Sequence, residues 1–212
     1  MKIFFDTEFT GLQLRTDLIS IGIIADNGAK FYAELNDYDE AKIDEWLQTN
    51  VIDNLEFSAP PEGEDEYYTM SRLKSNPTGN DISLGCSIRM RGNMKTVGDE
   101  LKVWLKQFKE TPDVWSDVLA WDWVLFCELL GGGLQVGTYA KYIPFDIATL
   151  MVTKGVDPDI NREKLAKFDE SKAVKHNAMH DAIIIRDCYN ELMKMPYVDA
   201  VGTSVDGNGK PT

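Results

Sequence analysis

The segment from residue 18 to residue 35 leaves the chain little choice of fold. Leu18 to Ile24 (LISIGII) and Lys30 to Leu35 (KFYAEL) are apolar runs of strand length, separated by the turn-forming Asp26-Asn27-Gly28. A third short run, Lys2 to Phe5, precedes them and ends in Asp6. Three antiparallel strands joined by tight connections are the simplest reading. From Glu40 the period becomes helical, with Ile43, Trp46, Leu47 and Val51 on one face. Residues 56 to 80 are rich in Pro, Gly and charge and lack a sustained period, so the stretch at about 56–95 is expected to be an insertion or long loop.

Beyond it, Thr96 to Asp99 has the pattern of a capping box opening a helix with Leu101, Trp104, Leu105 and Phe108 at helical spacing. Asp113 to Asp117 (DVWSD) reads as another strand. A helix carrying Val124, Leu125, Leu129 and Leu130 follows and runs into three glycines, 131 to 133. Tyr142 to Leu150 starts extended and turns helical, and Ala178 to Met193 forms a last long helix. This succession of strands and helices predicts an α/β fold. With 43% hydrophobic residues in 212, the chain supports one core, and a single domain is expected over residues 1–195 with a frayed tail at 196–212.

Composition limits the functions open to such a fold. The formal net charge of −13 repels polyanions, which argues against a protein that coats duplexes non-specifically. An enzyme that grips a few nucleotides through bound cations is still compatible with it. No apolar run approaches the length of a membrane span, and Asp6 and Glu8 interrupt the N-terminal apolar stretch, so no secretory leader and a cytoplasmic location are expected. Cys86, Cys127 and Cys188 form no C-x-x-C pair and read as reduced thiols.

Asp6 and Glu8 are two apart at a strand end, so both carboxylates point to one face. Two partly buried like charges need a counterion, and a pair of Mg²⁺ or Mn²⁺ ions is a common one; the bland alternative is a solvated strand end. Asp122, at the start of a helix after a central strand, is the leading further ligand. Its alternative role is an N-cap, and Asp117 competes for the same place. KHNAMHDAIII holds both histidines, His176 and His180, just ahead of Asp181. His176 and Asp181 would stand about 140° apart on one helix, so they share a site only if His176 lies in the loop before it. His180, four residues after His176, raises a zinc reading, but the Glu of H-E-x-x-H is missing; otherwise His180 reads as an exposed helix residue.

Together, D-x-E on the first strand, an Asp opening a mid-chain helix and H-x-A-x-x-D near the C-terminus resemble the DEDDh 3′–5′ exonucleases, the DnaQ-like or RNase T-like branch of the ribonuclease H fold. FDTEFTGL is similar to the first motif, with Phe9 where many members have Thr, and HNAMHDA matches the third. WSDVLAWDWVLFCELLGG and TVGDELKVWL extend the likeness to the small single-domain exoribonucleases of bacteria and phages, of the mycobacterial adenylate-preferring type. The Asn-x-x-Phe-Asp wording of the second motif is absent.

The resemblance implies a mixed five- to six-stranded sheet, its first three strands antiparallel, flanked by helices. It implies that Asp6, Glu8, Asp122 and Asp181 hold two divalent ions, Mg²⁺ or Mn²⁺. His176 would be the general base, and Phe9, Thr10, Leu12 and Glu8 would hold the substrate, with amides around Phe9 and Thr10 on the terminal ribose. The implied partner is a single-stranded 3′ end, RNA ahead of DNA, and the implied assembly a homodimer in a bacterial or phage-infected cell. DNA exonucleolysis is the nearest rival activity, and a non-catalytic acidic decoy is the rival from another class.

Overall fold

The computed structural model describes residues 1–57, 67–72, 86–169, 171, 174, 176–198 and 204–205. β1 (Lys2–Phe9), β2 (Leu18–Ala25) and β3 (Lys30–Leu35) form an antiparallel meander. β1 runs past Phe5, so Asp6 and Glu8 lie within the strand. A one-turn 3-10 segment and α1 (Glu45–Asn50), capped by the Asp44 carboxylate, follow. They break up the continuous helix expected from Glu40. Next come β4 (Tyr67–Arg72), β5 (Cys86–Gly92), α2 (Met94–Leu105), β6 (Asp113–Ser116), α3 (Ala120–Leu129) and α4 (Gly133–Val136). The chain continues through β7 (Phe145–Asp146), α5 (Ile147–Thr153), α6 (Arg162–Leu165) and α7 (Ala178–Leu192) to a small pair, β8 (Tyr197–Val198) and β9 (Ser204–Val205).

One mixed sheet of seven strands results, in the order β4-β5-β3-β2-β1-β6-β7, with β6 and β7 joined in parallel beyond β1. This α/β arrangement is consistent with a ribonuclease H-like fold. The sheet exceeds the five or six strands expected because 56–95, read as a loop, contains β4 and β5. The signal in β5 is short: Ile88 and Met90 are buried while Arg89 is exposed, two apolar residues in a polar context. The remainder of that stretch, 58–66 and 73–85, lies outside the described residues, as do 199–203 and 206–212 of the tail. The cap of α2 is Asn93, whose side chain accepts from Thr96 N–H, so the helix begins before the Thr96–Asp99 box.

Alternation along β1 sends its residues to two different layers. Ile3 and Phe5 join Phe31, Trp104 and Phe126 in the core beneath α2 and α3. Phe4 faces the other way, into a core with Ile147, Met151, Ile185 and Cys188 of α5 and α7. Cys127 and Cys188 are buried free thiols. No helix among the described residues is long and apolar enough to cross a membrane.

Helix α7 lies directly on the sheet at Gly22, the residue paired with Asp6. A Cβ built at Gly22 would stand 2.3 Å from the carbonyl carbon of Ala178 and the amide nitrogen of Met179, so only glycine admits the first turn of α7 at this depth. The neighbouring atoms are backbone and cannot swing aside. Gly22→Ala is therefore expected to destabilise the fold by at least the ~1–3 kcal/mol typical of overpacking, measured by denaturant unfolding. A variant as stable as wild type would contradict the close approach.

Candidate active site

Over the Asp6–Gly22 pair, the sheet and α7 bring three acids together. One carboxylate oxygen from each of Asp6, Glu8 and Asp181 lies within 4.8 Å of the others. It is the one group of three or more metal-type ligands among the described residues. Strand alternation supplies the first two, and the first turns of α7 supply the third. The chain enters α7 through His176, whose φ of 58° is left-handed, and Asn177, whose side chain caps the helix by accepting from His180 N–H at 3.1 Å. His176 thus sits in the loop ahead of the helix, the placement it needs to share a site with Asp181. It lines a pocket of about 250 Å³ with Asp6, Asp117, Arg162, Glu163, Asp181, Ile184 and Ile185.

Asp122 sits in the first turn of α3, but it is not the N-cap; that position belongs to Leu119, which makes no side-chain cap. The Asp122 carboxylate reaches back to β1 instead, where its Oδ1 accepts from Thr7 N–H at 3.0 Å and from Thr7 Oγ1 at 2.6 Å. This holds a fourth acid against β1, near enough for its charge to act on Asp6 and Glu8, but Asp122 is not among the three acids that converge. Asp117, its rival, also lines the pocket, but both of its oxygens accept from Arg162, at 2.6 and 3.0 Å. Between the two acids, the exposed Val118 is held at φ 48°, and its N–H donates to Asp146 Oδ1 at 3.1 Å. A left-handed β-branched residue costs about 1–2 kcal/mol, so the β6–α3 connection is held under strain.

The acids raise one another's proton affinity. Burial pushes Asp6 well above the ordinary carboxylate range, and the charges of Asp122, Asp181, Glu8 and Asp117 add to it. Glu8 is pushed up to about 8 by burial, then by Asp181 and Asp122. Asp122 rises only to about 6, since the two Thr7 donors favour its charged form against burial. A divalent cation would reverse this penalty, and an all-oxygen donor set of this kind suits Mg²⁺ or Mn²⁺.

The substrate candidates divide. Glu8, Phe9, Thr10, Gly11 and Leu12 line a second cleft, of about 310 Å³, with Asp44, Trp46 and Leu47. Leu12 is 76% exposed and open to a ligand. Thr10 departs from expectation: it is buried, its N–H donates to the Asp17 carbonyl at 2.9 Å, and its Oγ1 accepts from Asp17 N–H at 2.9 Å. The turn therefore takes up the amide expected to hold a ribose. Phe9 packs partly on the core.

His180 is not the exposed residue expected. It is partly buried against Phe168, with ring centroids 5.1 Å apart, its Nε2 has no hydrogen-bond partner, and burial lowers its pKa. The cluster of three metal-type ligands contains neither histidine. Trp46 lines the second cleft although the sequence places it on the core face of a helix. It is 53% exposed and its ring meets His176 edge-on at 5.0 Å between centroids, joining the two clefts. Leu47 and Val51 fill the core beneath α1 without it. A helical period alone cannot tell the rim of an apolar face from its centre.

Fold and site together define an α/β protein with a compact acidic centre bounded by an imidazole. No protein-family model matches the chain. Curated relatives include a 3′–5′ exoribonuclease of Mycobacterium tuberculosis in two strains, CDC 1551 / Oshkosh and ATCC 25618 / H37Rv. Each is 25% identical to this chain over 131 residues, 62% of either sequence. The chain thus spans somewhat under two thirds of the length of the relatives it matches.

Because Glu8 binds its proton more tightly folded than unfolded, its contribution to stability is fully present below about pH 4.5 and is lost as pH rises through about 8. In cation-free buffer, Glu8→Gln should raise the melting temperature at pH 8 and flatten its decline between pH 5 and 8. An unchanged slope in thermal scans would show that the charge repulsion is not felt.

Proposed function

We propose that this chain is a divalent-cation-dependent 3′–5′ exoribonuclease of the DEDDh type, releasing nucleoside 5′-monophosphates from single-stranded RNA. The observation that carries the reading is the convergence of Asp6, Glu8 and Asp181 within 4.8 Å, with His176 on the same pocket. The mycobacterial relatives, described as 3′–5′ exoribonucleases, support the reaction class and RNA as substrate. A non-catalytic decoy would spread its acids over a surface, whereas here they converge on one pocket beside an imidazole.

Asp6, Glu8 and Asp181 would hold two Mg²⁺ or Mn²⁺ ions, with Asp122 as the fourth carboxylate. When bound, such ions neutralise the pocket, polarise the phosphodiester and favour deprotonation of water. The chain's own groups do the rest. His176 takes the proton from the attacking water as the new P–O bond forms and the bond to the 3′ oxygen of the penultimate nucleotide breaks, and that oxygen leaves with the bonding pair and takes a proton from solvent. Leu12 and Trp46 present apolar surface to the last bases, a contact worth about 1–3 kcal/mol per base and tolerant of sequence. Asp44 at the foot of α1 and Glu8 offer acceptors for ribose hydroxyls.

The test is a time course on matched 5′-labelled RNA and DNA oligonucleotides with Mn²⁺. Wild type should yield a ladder shrinking from the 3′ end, faster on RNA. Asp6→Ala should be inert, and His176→Ala slowed by roughly 10²–10⁴-fold. Undiminished cleavage by Asp6→Ala would refute the assignment, and faster digestion of DNA would move it to the deoxyribonuclease branch.

A further inference from the structure

The pocket that holds Asp6, His176 and Asp181 has a second wall, formed by Asp117 at the end of β6 and by Arg162 and Glu163 opening α6. The cation–anion contact in that wall is bidentate: Arg162 Nε donates to Asp117 Oδ2 at 2.6 Å and Nη2 to Oδ1 at 3.0 Å. Its Nη1 donates to the carbonyls of Pro158 and Ile160, both at 2.7 Å. The guanidinium is therefore clamped from two sides, with its plane and position fixed. Neither partner is fully exposed.

Asp117 belongs to the electrostatics of the centre. Its charge adds to those that raise the proton affinity of Asp6 and of Asp122. Its backbone leads into the strained Val118, whose N–H is tied to Asp146, and α3 with Asp122 begins two residues later. An unpaired Asp117 could turn its carboxylate towards the acids across the pocket, whereas the Arg162 fork commits both oxygens to the wall. Glu163, the other acid there, is buried and acts electrostatically on His180.

We infer that Arg162 is a positioning residue that withdraws Asp117 from the acidic centre, setting both the charge that centre presents to cations and which carboxylates can reach them. The inference rests on the cation-binding reading above and adds a residue that touches neither substrate nor ion. It predicts effects of opposite sign. Arg162→Gln leaves an extra uncompensated negative charge on the wall, so Mn²⁺ should bind more tightly, by at least about threefold. Asp117→Asn leaves the guanidinium uncompensated, and Mn²⁺ should bind more weakly by a similar factor. The double variant restores neutrality, and its affinity should return close to that of wild type.

Calorimetric titration of purified wild-type and variant protein with MnCl₂ alone reads these effects without an activity assay, and circular dichroism and thermal unfolding confirm the fold. A purely structural ion pair would lower stability in both single variants without separating their Mn²⁺ affinities in opposite directions. Such a result overturns the inference. If Arg162→Gln does not fold, Asp117→Asn decides alone, with undiminished Mn²⁺ affinity counting against it. Wild type that binds no Mn²⁺ would remove the cation-binding reading together with this one. Wild type that binds, in a manner abolished by Asp6→Ala, alongside single variants that do not diverge, removes this inference only.

Discussion

Backbone packed on backbone at Gly22 is the contact from which the rest of the centre takes its geometry. Strand pairing sets Gly22 beside Asp6, and the missing side chain lets the peptide between Ala178 and Met179 settle against the strand. Asp181 follows within the next turn, so the depth of the helix decides whether its carboxylate meets those of β1. His176 and Asn177 do the complementary work, turning the chain sharply and closing the exposed amides of the first turn. The three acids are thus carried by a strand and a helix rather than by loops, which suits groups that must hold a fixed separation.

That separation is energetically adverse in the bare protein. Like charges in a partly desolvated pocket favour protonation, and Glu8 and Asp6 bear most of the penalty. The fold offsets it locally. Thr7 stabilises the charge on Asp122 with two donors, and Arg162 does the same for Asp117. The two extensive cores on either side of the sheet supply the stability against which this strain is held.

Much of the architecture was legible because it depends on local apolar pattern. The meander stands out as apolar runs, with β2 buried throughout and β3 nearly so, and the long α7 stands out by its helical period. Asp6, Glu8 and Asp181 were legible for a related reason: carboxylates on a core strand, and beside a rare histidine, are expensive without a purpose. What stayed hidden depends on distance in space. β5 offers only Ile88 and Met90 as its buried face. The partnership of Arg162 with Asp117 spans 45 positions of sequence and leaves no local mark. The Thr10 amide looked available because nothing in FDTEFTGL reveals that Asp17 returns to accept it. Trp46 looked like core because its neighbours are.

Strand β1 has a double allegiance, with Ile3, Phe5 and Thr7 on one side and Phe4, Asp6 and Glu8 on the other. Losing or gaining one residue inside it would exchange the two sets, driving carboxylates among the aromatic rings of one layer and pointing Phe5 at the helix that should meet an acid. The phase of these eight residues is therefore locked by both sides at once. Evolution can lengthen the hairpin ends around this ribbon, but it can alter the ribbon itself only by substitution.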